Sequence, residues 1–323
     1  MTDTGRYGDQ PIIPLIAVAV LTYQRTDLLD KLLVAYAAME KPRDAQLVLI
    51  VIDNDASGST RATVETRGTA FGEIRYIVEV RRGIPVGRNR ALDEALGLGA
   101  DAMCFIDDDE YPDPQWLLRL VDCWRSTGAQ LIGGPVEVAA PPAAANAWQR
   151  LINKSLAARM IRKNRSSARR AARGGRYTVL TNNCLCALEW QRRKGIRFDE
   201  SMIVAGGSDT AFFRAALAAK VVPGWCPDAL VYETTTLDRL SLAYQFFRGA
   251  EQSKAHFFMK NPTVSAPLVV ITLLVAAIRF VLAVLLLFIP VLGISSPVKA
   301  VRSLGWSIGR VCALLGGRST LYK

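Results

Sequence analysis

The sequence predicts an α/β fold in which a mostly parallel sheet is covered by helices on both faces. Continuous apolar segments alternate with amphipathic helical segments through the first third of the chain, and half of the 323 residues are hydrophobic. Strands of parallel sheets are buried on both faces, so they read as near-continuous apolar runs. The predicted strands are residues 15–22, 47–53, 74–80 and 102–107, and the predicted helices are residues 26–39, 87–96 and 113–124.

Acidic residues lie at the ends of two of these strands. Asp53 ends the second and is followed by Asn54 and Asp55, and the four consecutive acids Asp107 to Glu110 begin at the end of the fourth. Ligands of open α/β sheets bind at the carboxyl ends of the strands. Adjacent carboxylates repel one another unless a cation lies between them, and Mg²⁺ or Mn²⁺ binds one or two carboxylates together with substrate phosphates. The acids therefore suggest a metal-bound nucleoside diphosphate, with a solvated acidic turn as the alternative.

The next helix is expected to begin at Asp113, a good N-cap, with Pro114 at its first position. That start makes the four acids a short loop between a strand and a helix. Further along, residues 177–188 read as a strand, residues 206–217 as a Gly-rich turn entering a helix, and residues 239–260 as a helix. The six cysteines include no CxxC spacing, which indicates reduced thiols without a zinc site or disulfide framework.

Positive charge is concentrated in one segment. The formal net charge is +11, and the stretch between Val138 and Leu188 contains no acid but ten basic residues. Such a segment favours a polyanionic neighbour: nucleic acid, anionic lipid headgroups or a phosphate-bearing substrate. Apolar residues recur at near-helical spacing in 148–161. Residues 148–176 are therefore expected to form a basic helix on an anionic leaflet or a clamp for a lipid diphosphate, or else a solvated loop.

A long apolar segment near the C-terminus, residues 267–290, is long enough to cross a bilayer. A single crossing from a cytosolic domain would place the basic tail outside, against the positive-inside tendency. Arg279 near its centre also disfavours a simple span. We therefore expect a re-entrant or interfacial arrangement that keeps the tail cytosolic. The polar N-terminus has no secretory signal pattern, so the preceding domain is expected to stay in the cytosol.

Five motifs occur in the order and rough spacing of one family: VAVLTYQRTDLLDKLL, VIDNDASG, RRGIPVGRNRAL, CFIDDDEYP and GGSDTAFFRAAL. Over residues 14–250 the chain resembles the bacterial family-2 inverting glycosyltransferases. The DDDE variant and the apolar tail are similar to exopolysaccharide glycosyltransferases. The resemblance implies a GT-A fold, which is a Rossmann-like, mostly parallel sheet covered by helices, with C-terminal membrane-associated helices added here.

Carried over to this sequence, the resemblance implies a donor site. Asp53 would accept a hydrogen bond from uracil, Asp109 would be the main ligand of Mn²⁺ or Mg²⁺, and Asp107 would lie against the ribose or sugar and share the metal. The implied contacts with the nucleotide sugar are Thr22, Tyr23, Arg25, Asp53, Asp55, Arg88, Asn89, Asp107, Asp108 and Arg248.

Asp209 is the implied catalytic base, which would remove the proton of the attacking acceptor hydroxyl. The chain has Ser208 where the family usually has an acid, and Ser208 or Asp209 could also be a helix N-cap. Gln245 and Arg248 match a Gln-x-x-Arg pattern without its following Trp, which favours single addition over polymerisation. The lone histidine, His256, is interpreted as packing near the membrane, with a metal-ligand role as the alternative.

The predicted organisation is a catalytic domain at 1–260 and a membrane-associated helical region at 264–323. The predicted function is transfer of a sugar from a UDP-sugar to a glycan acceptor, linked to polyprenyl diphosphate, at the cytoplasmic face of the inner membrane. A metal-dependent nucleotidyltransferase is the first alternative, although LTYQRTD lacks its Gly-rich phosphate loop. A nucleic-acid or anionic-surface binder is the second, and it leaves DDDE and the apolar tail without a role.

Overall fold

The computed structural model describes residues 13–68, 72–175, 177–202, 207–261, 263–288 and 296–317. Arg176, Gly206, residues 289–290 of the apolar segment and the basic tail residues Arg318 and Lys323 lie outside the described residues.

The described ranges contain ten strands and ten α-helices, with one short 3-10 helix at Glu200–Met202. The strands are β1 (Leu15–Thr22), β2 (Gln46–Asp53), β3 (Glu73–Val78), β4 (Ala102–Asp107), β5 (Glu110–Pro112), β6 (Leu131–Gly133), β7 (Val136–Val138), β8 (Asn183–Ala187), β9 (Pro223–Trp225) and β10 (Val231–Glu233). The helices are α1 (Thr26–Ala38), α2 (Arg61–Gly68), α3 (Ile84–Gly97), α4 (Trp116–Thr127), α5 (Ala147–Ala172), α6 (Leu188–Lys194), α7 (Ser208–Ala218), α8 (Leu242–Lys260), α9 (Ala266–Phe288) and α10 (Ser296–Leu314).

The central sheet has seven strands in the order β3-β2-β1-β4-β8-β6-β9. Its first four strands run parallel, and β8 is antiparallel to both of its neighbours. This confirms the predicted α/β class with a mostly parallel sheet. Because β1 and β4 are adjacent and parallel, the carboxyl ends at Thr22 and Asp107 lie side by side, which is where the predicted ligand site falls.

Apolar residues cover both faces of this sheet. One core contains Leu29 and Leu33 of α1 and Trp116 and Leu120 of α4, and the other contains Leu92 of α3 with residues of α6 and α7. Each core takes alternate residues of the same strands, such as Val18 for one and Ala19 for the other. The strands are buried on both faces for this reason, so they have little room for polar residues except at their ends.

The chain after β4 differs from its prediction. Asp108 and Asp109 form a tight turn, and Glu110 begins β5, which pairs with β10 in a separate three-stranded sheet with β7. The predicted loop running directly into a helix is therefore wrong. The predicted helix start at Asp113 is wrong as well, since its backbone N–H still bonds to Leu230 and its carboxylate caps a turn by accepting from the Gln115 N–H. Helix α4 begins only at Trp116.

Two other predictions change in extent. The strand predicted over 177–188 is limited to Asn183–Ala187, and the basic segment is a 26-residue helix, α5, rather than a solvated loop. The buried side chain of Ile152 in α5 packs against Leu240 and Val298. Part of the apolar stripe predicted to face a leaflet is therefore covered by protein.

The C-terminal helices form a hairpin against the catalytic part. Among the described helices, α9 is the one long and apolar enough to cross a membrane, and few of its side chains are buried. Helix α10 packs along both α9 and α8. Its approach to α8 is so close that a Cβ atom added at Gly305 would lie 2.0 Å from the carbonyl oxygen of Phe246 in α8. Arg279 of α9 donates to Ser303 Oγ at 2.9 Å, and its guanidinium lies over the Trp306 ring at 4.1 Å.

Candidate active site

A cavity of about 540 Å³ opens at the carboxyl ends of β1 and β4. Helix α3 begins at its edge, where Gly83 has a φ of 137° that favours glycine, and its backbone N–H donates to Asn54 Oδ1 at 2.8 Å. The N-terminal residues of this helix, Ile84 and Pro85, line the cavity. A helix N-terminus at this place favours a bound anion.

The charged residues of the cavity wall come from six separate segments of the chain. Within the described residues they comprise six carboxylates and five guanidiniums: Asp107, Asp108, Asp109, Glu110, Asp209 and Glu233, with Arg25, Arg82, Arg88, Arg239 and Arg248.

The turn after β4 is held by contacts from two sides. Arg25 donates to Asp108 at 2.9 Å and to Asp109 at 3.4 Å, and Thr22 donates to Asp108 at 2.9 Å. Arg239 reaches Asp109 from the other side at 3.2 Å. Asp108 is buried by these contacts, whereas Asp107 and Asp109 keep part of their surface open to the cavity. The turn therefore presents two carboxylates and uses the third to fix its shape.

Arg88 of α3 lies beneath the cavity between two carboxylates. Its guanidinium donates to Oδ1 of Asp209 and, at 3.2 Å, to Oδ1 of Asp107, while its side chain is only 6% exposed. The other oxygen of Asp209, Oδ2, receives no hydrogen bond from the residues that the structure describes. Gly207 is the N-cap residue of α7, and Asp209 accepts no hydrogen bond from a backbone N–H of the described residues, so neither Ser208 nor Asp209 is the N-cap.

Burial, with repulsion among the acids, raises the pKa of several carboxyl groups in the cavity. Desolvation raises the pKa of Asp107 to about 7, although Arg88 opposes the shift, and repulsion from Asp109 adds to it. Burial also raises the pKa of Glu110 and of Glu233, and in both cases the charge of Asp109 contributes. The charge of Asp109 thus acts on these three neighbouring carboxyl groups.

Several predicted donor contacts line the cavity. These are Thr22, Tyr23, Arg25, Arg88, Asp107, Asp108 and Arg248, together with the predicted metal ligand Asp109 and the predicted base Asp209. Tyr23 is covered on one face by the guanidinium of Arg82, whose central carbon lies 4.4 Å from the ring centroid. A planar cation over an aromatic ring at the mouth of the cavity suits the stacking of a nucleobase.

Three residues predicted to contact the nucleotide sugar do not line the cavity, and their side chains form hydrogen bonds within the protein instead. Asp53 is fully buried and accepts hydrogen bonds from Asp55, Thr60 and Tyr76. Asp55 forms a turn with Ser57, and its carboxylate accepts from that hydroxyl at 2.7 Å. The three residues 53, 55 and 57 therefore shape the loop after β2.

Asn89 is the third of these contacts. Its amide group bonds to the backbone of Phe198 through both its oxygen and its nitrogen and also donates to Glu200. Asn89 thus joins α3 to the segment before α7. His256, on an exposed part of α8, is not among the residues that line the cavity.

A chain of hydrogen bonds connects α10 to the acidic turn. Arg302 donates to Oε1 of buried Gln245, whose side-chain amide donates to the carbonyl oxygen of Arg239 at 2.8 Å. Arg239 in turn contacts Asp109. Gln245 therefore supports the cavity from behind, whereas Arg248, one helical turn later, lines it.

Sequence reasoning assigned no donor contact to four charged or polar wall residues, although Glu233 was an alternative base: Arg82, Asn182, Glu233 and Arg239. Arg82 stands in the quoted RRGIPVGRNRAL motif, so its position next to Gly83 was an available signal. Asn182 donates to Glu110 at 2.8 Å, and Glu233 lies on β10. Neither residue, nor Arg239, stands in a recognisable motif.

The wall fits a divalent cation bound together with phosphates. The described residues contain no group of three or more His, Cys, Asp or Glu side chains placed to hold a metal alone. Two carboxylates, those of Asp107 and Asp109, are available, and Mg²⁺ commonly binds one or two carboxylates plus substrate phosphates. The repulsion centred on Asp109 would be relieved by such an ion.

The chain is similar to known glycosyltransferases. The model of glycosyltransferase like family 2 matches residues 14–250. The succinoglycan biosynthesis protein ExoM of Rhizobium meliloti is 34% identical over 242 residues, which cover 75% of this chain and 74% of ExoM. Glycosyltransferase AglE of Haloferax volcanii is 28% identical over 130 residues, covering 40% of this chain and 41% of AglE.

Solved structures share the fold. The mannosyltransferase PcManGT of Pyrobaculum calidifontis, in complex with GDP-Man and Mn²⁺, superposes with a TM-score of 0.57 at 18% identity, covering 94% of this chain and 87% of that one. TarS of S. aureus (residues 1–349), in complex with UDP-GlcNAc, superposes with a TM-score of 0.53 at 13% identity, covering 93% and 92%. These neighbours confirm the expected GT-A fold.

The family match spans the strands that form the cavity and extends into α8, so it includes every charged wall residue named above. The chain belongs to glycosyltransferase family 2, and it is a glycosyltransferase with the GT-A fold.

Proposed function

We propose that this enzyme transfers a sugar, with inversion, from a UDP-sugar to a glycan linked to polyprenyl diphosphate. The observation that carries the proposal is the arrangement around Arg88, which joins the base candidate Asp209 to the acidic turn in one cavity. Such a bridge fixes the spacing between a group that could take the acceptor's proton and the carboxylates that would hold the donor. The similarity to ExoM supports a role in cell-surface polysaccharide synthesis.

Donor binding would use the walls already described. The nucleobase would lie near Tyr23 and Arg82, with Asn54 and the loop shaped by Asp53 and Asp55 beside it. The diphosphate would face the N-terminus of α3 and Arg248. A uracil contact by Asp53 remains a prediction, and it requires the carboxylate to exchange one of its present hydrogen bonds.

Asp107 and Asp109 would hold Mn²⁺ or Mg²⁺. When bound, the ion offsets the negative charge that develops on the departing diphosphate. The charge of the cavity wall supports a bound cation. Six carboxylates and five guanidiniums leave no positive surplus to balance the negative charge of a diphosphate.

Asp209 would act as the general base. Arg88 holds Oδ1, which leaves Oδ2 to accept the hydrogen bond of the acceptor hydroxyl and then its proton. Glu110 is a weaker candidate, because it is only 2% exposed and both of its oxygens already accept hydrogen bonds, one from the Asp107 N–H and one from the Asn182 amide.

We further propose that α9 attaches the enzyme to the cytoplasmic face of the inner membrane without crossing it. Most of its large apolar side chains are exposed, and among the residues buried on it are Ala276 and Ala283, which suits a surface embedded in lipid. Helix α10 follows α9 and packs back on α8 of the catalytic part. A single crossing would carry α10 to the opposite side and break that packing.

The test is a screen of purified full-length enzyme for hydrolysis of UDP-, GDP- and dTDP-sugars, with Mn²⁺, with Mg²⁺ and after treatment with EDTA. We expect hydrolysis of one UDP-sugar, its loss with EDTA, and transfer to lipid-linked glycans extracted from membranes. Hydrolysis that is equal with and without metal would contradict the metal assignment. A GDP- or dTDP-sugar as the active donor would contradict the UDP assignment.

A further inference from the structure

Three arginines from three different helices lie close enough for their charges to act on one another. Arg159 belongs to α5, Arg248 to α8 and Arg302 to α10. The backbones of α8 and α10 meet next to two of them, since a Cβ atom at Gly249 would lie 2.5 Å from the carbonyl oxygen of Arg302. Lys163 lies one turn of α5 beyond Arg159 and close enough to Asp209 and Glu233 for their charges to act on it.

These arginines differ from the others near the cavity. Arg25, Arg88 and Arg239 each form an ion pair with a carboxylate, whereas Arg159, Arg248 and Arg302 form none with the residues that the structure describes. Guanidinium groups repel one another, and Glu233, the carboxylate whose charge acts on both Arg248 and Lys163, forms no ion pair with these three arginines of the described chain. A cluster of this kind beside an active site favours a ligand that supplies the negative charge.

The cluster is also held in place. Arg302 donates to the side-chain oxygens of Gln245 and Gln252, and Gln245 is only 2% exposed. Glutamine oxygens fix a guanidinium without neutralising it. Desolvation, together with the charges of Arg159 and Arg248, lowers the pKa of Arg302 to about 10, so the group stays positively charged at neutral pH.

The position of the cluster indicates which anion it would bind. Arg248 lines the cavity, but Arg159 and Arg302 do not, so the cluster extends away from the predicted donor site. Arg302 belongs to the helix that follows the apolar α9 and packs against it. A ligand that reaches the cluster from the membrane would carry its phosphates on a lipid and present its glycan toward Asp209.

We infer that Arg159 and Arg302 form a binding site for the diphosphate group of the lipid-linked acceptor, with Arg248 at its border with the donor site. This inference rests on the proposed function, because it assigns a place to the acceptor of that reaction. The two phosphates would accept hydrogen bonds from the guanidiniums of Arg159 and Arg302, and Lys163 would add a third positive charge. Anionic headgroups of bilayer lipids share the phosphate chemistry, so the test must separate the two sources.

The test measures binding of farnesyl diphosphate, a short polyprenyl diphosphate, to full-length enzyme saturated with UDP and Mg²⁺. Isothermal titration calorimetry is run on the parent and on the variants Arg159→Gln and Arg302→Gln. Because each variant removes a charged contact with phosphate, we expect its affinity to fall by at least about tenfold. The matched control is Arg169→Gln, an arginine of the same helix that lines a separate surface groove, and it should bind as the parent does.

The inference would be overturned by variants that bind farnesyl diphosphate like the parent. Displacement of UDP by farnesyl diphosphate would assign the phosphates to the donor site instead, and equal competition by short-chain phosphatidylglycerol would assign the cluster to bilayer headgroups. Arg159 makes no hydrogen bond with the described protein, so its variant should fold normally, as unchanged UDP affinity would show. If the parent hydrolysed no nucleotide sugar while arginine-dependent binding persisted, the proposed function would fail and the phosphate site would stand.

Discussion

The substitution Asp209→Asn separates the proposed catalytic role of this residue from its structural role. Loss of a general base typically lowers a rate by about 10²–10⁴-fold, which corresponds to about 3–5 kcal/mol of activation free energy. The structural cost is smaller. The asparagine side chain could still accept a hydrogen bond from Arg88, and Arg88 keeps its contact with Asp107. We therefore expect the free energy of unfolding to fall by at most about 3 kcal/mol.

The assay compares transfer to the lipid-linked acceptor with UDP affinity in the presence of Mn²⁺. We expect the Asp209→Asn variant to bind UDP and metal within a few-fold of the parent while transfer falls at least about a hundredfold. The matched controls are Glu110→Gln and Glu233→Gln, since both carboxylates line the same cavity. Transfer by Asp209→Asn within a few-fold of the parent would refute the reasoning, and a large loss in one control would identify the base in its place.

Four further predictions follow from the geometry. Asp109→Asn should abolish transfer and reduce UDP affinity in Mn²⁺ to the value measured with EDTA; a metal effect that survives the substitution would contradict this. Because burial and Asp109 raise the pKa of Glu233 above its unfolded value, its contribution to stability is lost as pH rises through the folded pKa. Glu233→Gln should therefore raise the Tm of the metal-free protein at pH 8 but not at pH 4, and equal shifts would argue against it. Gly305→Ala should lower the Tm by overpacking α8 against α10, whereas Gly97→Ala, where nothing lies within 4 Å of the added Cβ, should not. Ending the chain at residue 262 should release the protein from membranes and also lower its Tm, and release without a change in Tm would show that α10 does not support α8.

The parallel half of the sheet could be predicted because its signal is local. Residues 15–22 and 47–53 are apolar along nearly their whole length, and the structure pairs them in parallel from Leu15 to Thr22. The strand-end rule then places Asp107 beside Leu21, where the cavity opens. The sequence pattern therefore located the acidic turn correctly. It did not predict the short strand that begins at Glu110 and separates this turn from the next helix.

The other wall of the cavity carried no such signal. Glu233 lies on a strand of three residues, too short for any periodicity, and its partner strand β5 is equally short. Arg239 contacts Asp109 from 130 residues away in sequence. Asp53 shows the reverse case: its position after a strand suggested a ligand contact, but Thr60 and Tyr76 occupy its carboxylate in the fold.

The hydrogen-bond chain from Arg302 through Gln245 to Arg239 has a practical meaning for how the enzyme is handled. A detergent that loosens α10 would displace Gln245 and with it the arginine that holds Asp109, so it would change metal affinity without entering the cavity. Metal titrations in a bilayer nanodisc and in micelles should then give different midpoints. Kinetic constants measured for this protein would then depend on the detergent or lipid around it. Solubilised preparations would have to be compared at the same metal occupancy.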